Sequence, residues 1–260
     1  MADDAAAWRR VQWQTVTSAP LSPTWNLALD EALLESAVQG RRGPTLRFWE
    51  WSRPALVIGS HQLLENEVDL EAAASAGFAL VRRMSGGGTM VVAPGASITY
   101  SLYAPVSLVS DLSLAASYAF FDSFAVQALR HLGVPASYLP LNDLVDPVGK
   151  MGGAAQARRR GWVLHHTTIA WSLDPELIPR LIRIGRPALK PGGLRSAEKR
   201  VSPLGRHLEI DRAQVVKLLL SHFARLTGAS AGRVEPWELE LAARLEAEKY
   251  SRRAWLERLG

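Results

Sequence analysis

Apolar and polar positions along this chain change period several times, and each change predicts an element. Residues 11–17 alternate loosely and predict a first strand. Leu27 to about Val38 carries apolar residues at 27, 29, 33 and 34, a helical spacing opened by Pro23-Thr24-Trp25-Asn26 and closed by Gly40 and Gly43. Thr45–Trp51 alternates as a half-buried strand, and Ala55–Gly59 is a short, wholly apolar one. Residues 67–76 predict a short helix leading into a buried strand, Phe78-Ala79-Leu80-Val81. Ser97–Tyr103 alternates cleanly, Ser113–Leu132 is a long amphipathic helix closed by Gly133, and Trp162–Trp171 is a β-branched strand. Helices follow at 174–186 and 211–226, separated by a Pro/Gly-rich charged loop at 187–204. Residues 227–232 read as a linker before a last charged amphipathic helix, 235–249.

Interspersed helices and strands that can pair antiparallel predict an α+β fold, with twisted, mostly antiparallel sheets flanked by helices. The division expected is a catalytic domain over residues 1–228, then a linker and short helical tail over 229–260. Composition adds limits. Of 260 residues, 48% are hydrophobic, enough for one large core. A net charge of +5 demands no nucleic-acid partner, and Arg158-Arg159-Arg160 is the one tight basic cluster. The opening residues, Met1-Ala2-Asp3-Asp4, are acidic and lack an apolar signal core, and no stretch is long enough to span a membrane. A cytoplasmic protein is expected. No residue is cysteine, which excludes disulfides, thiolate metal sites and a cysteine nucleophile on this chain.

Four stretches could carry chemistry. Arg82-Arg83-Met84-Ser85-Gly86-Gly87-Gly88 leaves the strand at 78–81 with two positive charges and enters three glycines. Exposed amides in such a bend bind anions, although the same run also suits a plain tight turn. Asn142-Asp143 precedes Lys150, Gly152 and Gly153; a mobile ammonium beside Gly-Gly suits a phosphate or a polarised carbonyl, and the Asn-Asp pair could orient that lysine or hold Mg²⁺ through oxygen, with Asp143 the metal candidate. On the strand at 162–171, alternation sends His165 and His166 to opposite faces, so only one ring can line a given pocket. The loop with Lys190, Ser196 and Lys199 could close over an anionic intermediate. Only five of the 30 basic side chains are lysines, so each lysine is informative.

In this order, the motifs resemble the lipoate–protein ligase family, within the biotin/lipoate ligase and octanoyltransferase superfamily. The matching residues are Asn26–Glu31, Arg82-Arg83 with Ser85-Gly86-Gly87-Gly88, Asn142-Asp143-Leu144, Lys150 with Gly152, and His165-His166. The loop around Lys190, Ser196 and Arg200-Val201 looks like the family's adenylate-binding loop. The resemblance covers roughly residues 12–225. It implies an ATP- and Mg²⁺-dependent ligase that activates lipoate as lipoyl-AMP, then transfers it to a lysine of an apo lipoyl-carrier domain, either an acidic lipoyl domain or an H-protein-like one. Lys150 would be the catalytic residue, holding carbonyl and phosphate oxygens. Arg82, Arg83, Ser85, Gly86, Gly87, Gly88, Asn142, Asp143, Gly152, Gly153, His166, Lys190 and Ser196 would bind the adenylate.

The superfamily also contains transferases that move octanoyl groups through an acyl-cysteine, a route closed to a chain with no thiol. Two features depart from the ligase pattern. Val92 and Ala93 stand where many ligases carry His-Asp, and Thr167 stands where Gly often follows the histidines. About thirty residues follow the linker, too few for an accessory domain. Either a separate small protein supplies that part or the single domain suffices. Rival expectations are a ligase for a related acid such as octanoate, and a non-catalytic or partner-dependent binder of lipoyl-AMP or of the carrier.

Overall fold

The computed structural model describes residues 6–259; the acidic opening at Met1–Asp4 lies outside them. Eleven strands form two sheets among these residues. β1 (Gln14–Leu21), β2 (Thr45–Trp51), β6 (Ser97–Pro105), β7 (Ser137–Leu139), β8 (Asp143–Val145), β9 (Lys150–Arg159), β10 (Trp162–Ala170) and β11 (Ser230–Ala231) make the large sheet, in the order β11-β1-β2-β6-β10-β9-β8-β7. The pairs β11–β1 and β1–β2 are parallel; every pair from β2 to β7 is antiparallel. β3 (Ala55–Ile58), β4 (Ala79–Arg82) and β5 (Met90–Val92) make the small sheet, with β3 central. The α+β expectation, mostly antiparallel and flanked by helices, is met.

Four longer helices cover the large sheet: α1 (Pro23–Val38), α2 (Leu114–His131), α3 (Arg212–Thr227) and α4 (Pro236–Leu245). α1 begins where the Ser22 hydroxyl accepts from the Trp25 amide and Pro23 takes a first-turn position that needs no N–H. Most of its side chains are buried, because the sheet lies on one side and α4 on the other. Period-2 alternation sorts β10. Val163 joins Phe121, Phe124 and Phe223 beneath α2 and α3, whereas Leu164 packs with Leu29 and Leu33 of α1. His165 therefore faces α2 and His166 faces α1, as the alternation predicts.

Several sequence readings change here. β2 is almost wholly buried rather than half-buried, since helices cover both faces of the sheet. The helix expected over 174–186 shrinks to Leu177–Leu181, flanked by prolines and a glycine that cannot extend it. Residues 227–232 are not a linker: Ser230 and Ala231 pair with Gln14 and Thr15 at the sheet edge. The tail after them packs on α1, where the Glu238 carboxylate of α4 meets the buried Arg42 guanidinium. Among the described residues, no helix is long and apolar enough to cross a membrane.

Candidate active site

The residues predicted to carry chemistry converge on the α1 side of the large sheet, next to the small sheet. On α1, Asn26 and Asp30 lie one turn apart on the same face, and Arg47 from β2 binds both, 2.8 Å to Asn26 Oδ1 and 3.1 Å to Asp30 Oδ1. Asp30 also accepts from Tyr103 at 2.6 Å and Ser101 at 2.9 Å. Its remaining oxygen lies 3.0 Å from His166 Nδ1, and His166 Nε2 lies 2.6 Å from Ser85 Oγ. Asp30, His166 and Ser85 thus form a hydrogen-bonded line, each almost fully buried.

Electrostatics fixes the protons along that line. Burial opposes ionisation of Asp30, but the His166 hydrogen bond, Arg47 and Tyr103 outweigh it and hold its carboxyl below the usual range. An ionised Asp30 can only accept, so His166 Nδ1 carries the hydrogen. Burial pushes His166 below its ordinary value, with Asp30 opposing. The ring is therefore neutral at pH 7, Nε2 is an acceptor, and the Ser85 hydroxyl donates to it.

The two arginines separate in role. Arg83 turns into the bend it precedes. Its Nε lies 3.1 Å from Ser85 Oγ, and its other donors reach the carbonyls of Val57, Gly86 and Gly88. The chain folds around a guanidinium whose pKa burial lowers to about 10, leaving it charged at neutral pH. Arg82 is the first correction. Its Nε, Nη1 and Nη2 donate to the carbonyls of Gly59, Gln62, Trp255 and Leu256, so it ties the C-terminal turn to the small sheet instead of facing the Ser85–His166 contact. Gly87 has φ +90°, a conformation suited to glycine, and its carbonyl oxygen is 2.1 Å from where a Cβ on Gly59 would stand.

Lys150 opens β9. Its ammonium is 2.6 Å from Asp143 Oδ1 and about a third exposed. A Cβ on Gly153 would lie 2.8 Å from Lys150 Nζ, so that glycine makes the space in which the ammonium rests. Gly153 is opposite Thr168 across the β9–β10 pair. Thr168 shares a face with His166 two residues away, which sets Lys150 roughly 7 Å along the strand from the Ser85–His166 contact. Gly152 lies tight against β10, where a Cβ would be 2.8 Å from the Thr168 carbonyl oxygen. Asn142 clamps β8 to β9 through Ala154, as its side chain donates to that carbonyl at 2.6 Å.

Asp143 orients Lys150, one of its two expected roles; its assignment to Mg²⁺ is the second correction. One oxygen pairs with Lys150 and the other, at 3.3 Å, with Lys199. Among the described residues no group of three His, Cys, Asp or Glu side chains could hold a metal ion. Two ammonium neighbours and no companion carboxylate make a poor Mg²⁺ donor set.

The loop at 187–204 docks rather than floats. Ser196 Oγ accepts from the Thr89 amide at 2.9 Å and from Gln62 at 3.1 Å, while the Glu67 carboxylate takes the Ser196 amide at 3.0 Å and Arg195 Nε at 3.0 Å. Ser196 thereby sits against Gly88, where a Cβ would meet its hydroxyl at 3.1 Å. Lys190 is the third correction: its ammonium pairs on the surface with Glu65, 3.1 Å away, and Lys199 is the loop lysine that enters the site. Sequence reading also left Asp30, Gln62, Glu67 and Lys199 without site roles. Asp30 lay inside a motif already noted, and Lys199 was one of the few lysines.

The sequence profile described as the lipoyl protein ligase A/B catalytic domain matches residues 22–224. Among curated proteins, the octanoyltransferase LipM of Kyrpidia tusciae is 30% identical over 263 residues, covering 91% of this chain and 94% of that one. LipM of Anoxybacillus flavithermus is 32% identical over 200 residues, covering 66% and 69%. Among solved structures, a bi-partite lipoate protein ligase from an archaeal lipoylation system of Thermoplasma acidophilum superposes with a TM-score of 0.81 at 24% identity, covering 96% of this chain and 98% of that one. A lipoate-protein ligase A bound with ATP gives 0.78 at 24% identity, covering 96% and 99%. At that identity the structural likeness speaks for the fold. The closer sequence relatives bear a transferase name, octanoyltransferase, and this overturns the expectation of an ATP-dependent lipoate ligase working through lipoyl-AMP. The chain belongs to the lipoyl protein ligase A/B catalytic domain family.

Proposed function

We propose that this protein transfers a medium-chain acyl group of the octanoyl class from a thioester donor to a lysine side chain on a lipoyl-carrier domain. The observation that carries this reading is Lys150. Its ammonium is preset by Asp143 in the space above Gly153, on the sheet face that also holds His166. Acyl transfer puts negative charge on a carbonyl oxygen as the tetrahedral intermediate forms. A cation already oriented there favours that state over the ground state without reorganising. The names of the curated relatives supply the octanoyl class. With no cysteine among the 260 residues, an acyl-cysteine cannot form on this chain. Arg83, Ser85, Gly86, Gly87 and Gly88 are assigned to the acyl end of the site, Ser196 to its cover, and Lys199 to the Asp143 pair.

The test mixes the purified chain with octanoyl-pantetheine and an apo lipoyl domain, with and without ATP, and follows the octanoyl mass increment on the domain. Transfer without ATP is expected. Lys150→Ala is expected to slow it by ~10²–10³, the usual effect of losing one preorganised donor. Transfer only from free acid plus ATP would overturn the reading, as would full activity in Lys150→Ala.

A further inference from the structure

We propose that Ser85 is a nucleophile and that the acyl group passes through an ester on its Oγ. The inference deepens the acyl-transfer reading above and rests on it for the class of donor. Its basis is the line Ser85–His166–Asp30, with contacts of 2.6 and 3.0 Å. Nucleophile, base and orienting carboxylate stand in hydrogen-bond reach in the order that activates a hydroxyl. Three elements far apart in sequence supply them: the glycine bend, β10 and α1. Asp30 is itself fixed by Arg47, Ser101 and Tyr103, so the imidazole is held in one orientation.

Two further features suit the charge that would develop. Arg83 Nε points at Ser85 Oγ from 3.1 Å, and among the described residues no carboxylate pairs with that guanidinium. The residues after the nucleophile are glycines, and among the described residues no protein group accepts from the amides of Gly86 and Gly87. Two free amides beside a nucleophile are the usual makings of an oxyanion site.

The chemistry balances with a thioester and an amine alone. Ser85 Oγ attacks the thioester carbonyl carbon and its proton passes to His166 Nε2. The carbon–sulfur bond breaks, the sulfur takes the proton from His166, and a thiol leaves an octanoyl ester on Ser85. The neutral amine of the carrier lysine then attacks the ester carbon and gives a proton to His166. The carbon–oxygen bond breaks, Ser85 Oγ recovers the proton, and an amide is released. Ser85 is only 1% exposed, and Ser196 lies against Gly88, so the docked loop must lift before the donor enters. Ser85 and His166 are catalytic residues in this scheme; Asp30 is a positioning residue.

The deciding experiment omits the acceptor. The full chain is mixed with octanoyl-pantetheine or p-nitrophenyl octanoate, quenched in acid, and examined by intact mass and peptide mapping. One octanoyl group on Ser85 is expected, absent from Ser85→Ala and formed ~10²–10⁴ more slowly in His166→Gln, the range of a lost general base. Ser85→Cys is expected to capture the group as a thioester released by neutral hydroxylamine, which keeps the test decisive should Ser85→Ala fold poorly. No adduct at position 85 from either donor overturns the inference. So does wild-type transfer to the lipoyl domain by Ser85→Ala, and in that case the octanoyl-transfer reading itself survives. An adduct on Ser85 with no onward transfer supports Ser85 and sinks the assignment of the carrier.

Discussion

At the scale of single residues, the chemistry turns on where one proton resides. His166 faces Asp30, Arg83 and, across its strand, His165. Burial is the largest influence and lowers its pKa from the ordinary 6.5, so the folded protein resists a proton that the unfolded chain accepts near that pH. The stability contribution is therefore full above pH 6.5 and falls as pH drops below it; His222, half-buried near His131, acts in the same direction. For the proposed catalysis the sign is the same, since a base must be neutral. The acid limb of the octanoyl-transfer rate is expected below pH 6.5, and His166→Gln is expected to flatten it while lowering the plateau. A limb at or above pH 6.5 would mean that another group controls the rate. Ser85 and His166 were named from sequence as adenylate contacts, because a strand leading to Ser-Gly-Gly-Gly and a His-His pair on an alternating strand are local signals; their mutual contact was not. Nor was Asp30, because its role comes from a contact 136 positions away. Lys190 was assigned to the adenylate and Lys199 was not; the fold of the loop decides that Lys199 is the one that reaches Asp143.

At the scale of elements, long periodic segments were read well and short ones poorly. α2 and β10 came through because their apolar patterns persist for several turns or pairs. β7 and β8 escaped because three residues each carry no period, and β9 because Gly149, Gly152 and Gly153 interrupt the pattern that would have announced a strand. Those glycines answer a packing demand that sequence does not display: a Cβ at Gly149 would stand 2.3 Å from the Arg200 carbonyl oxygen. That close approach brings the loop's end alongside β9, where the Lys150 amide donates to Arg200 at 2.7 Å. The other end of the loop is held by Asn66 and Glu67, both buried. Glu67→Ala removes the acceptor for the Ser196 amide and hydroxyl and for Arg195. At ~1 kcal/mol net per hydrogen bond, losing two or three raises the open population tenfold or more. Limited proteolysis within residues 187–201 is expected to speed up by about that factor, with cleavage elsewhere unchanged. An unchanged rate would mean that Glu67 does not hold the loop.

At the scale of the whole molecule, the C-terminal residues complete the fold. β11 extends the large sheet beside β1, α4 covers the outer side of α1, and the turn at Trp255–Leu256 receives the Arg82 side chain. The sequence pattern predicts 235–249 as a charged amphipathic helix, and an amphipathic pattern places charges on the solvent side. What the pattern hid is that one acid points inward. Glu238 is fully buried, accepts from Arg42 Nε at 2.6 Å and from the Glu235 amide at 2.8 Å, and so joins α4 to the end of α1. Removing one partner of a buried ion pair leaves a desolvated charge with nothing to balance it, which costs about 3–5 kcal/mol. Glu238→Ala is therefore expected to lower the melting temperature by roughly 10 °C, given ~2–4 °C per kcal/mol for a chain of this size. The double variant Arg42→Met/Glu238→Leu replaces both charges by apolar groups of similar size and should recover most of that loss, because the desolvation cost vanishes with the attraction. A small effect in Glu238→Ala would show that water reaches Arg42 and that α4 is loosely held. A double variant as unstable as the single one would place the contribution of Glu238 in its cap on the helix start rather than in the ion pair.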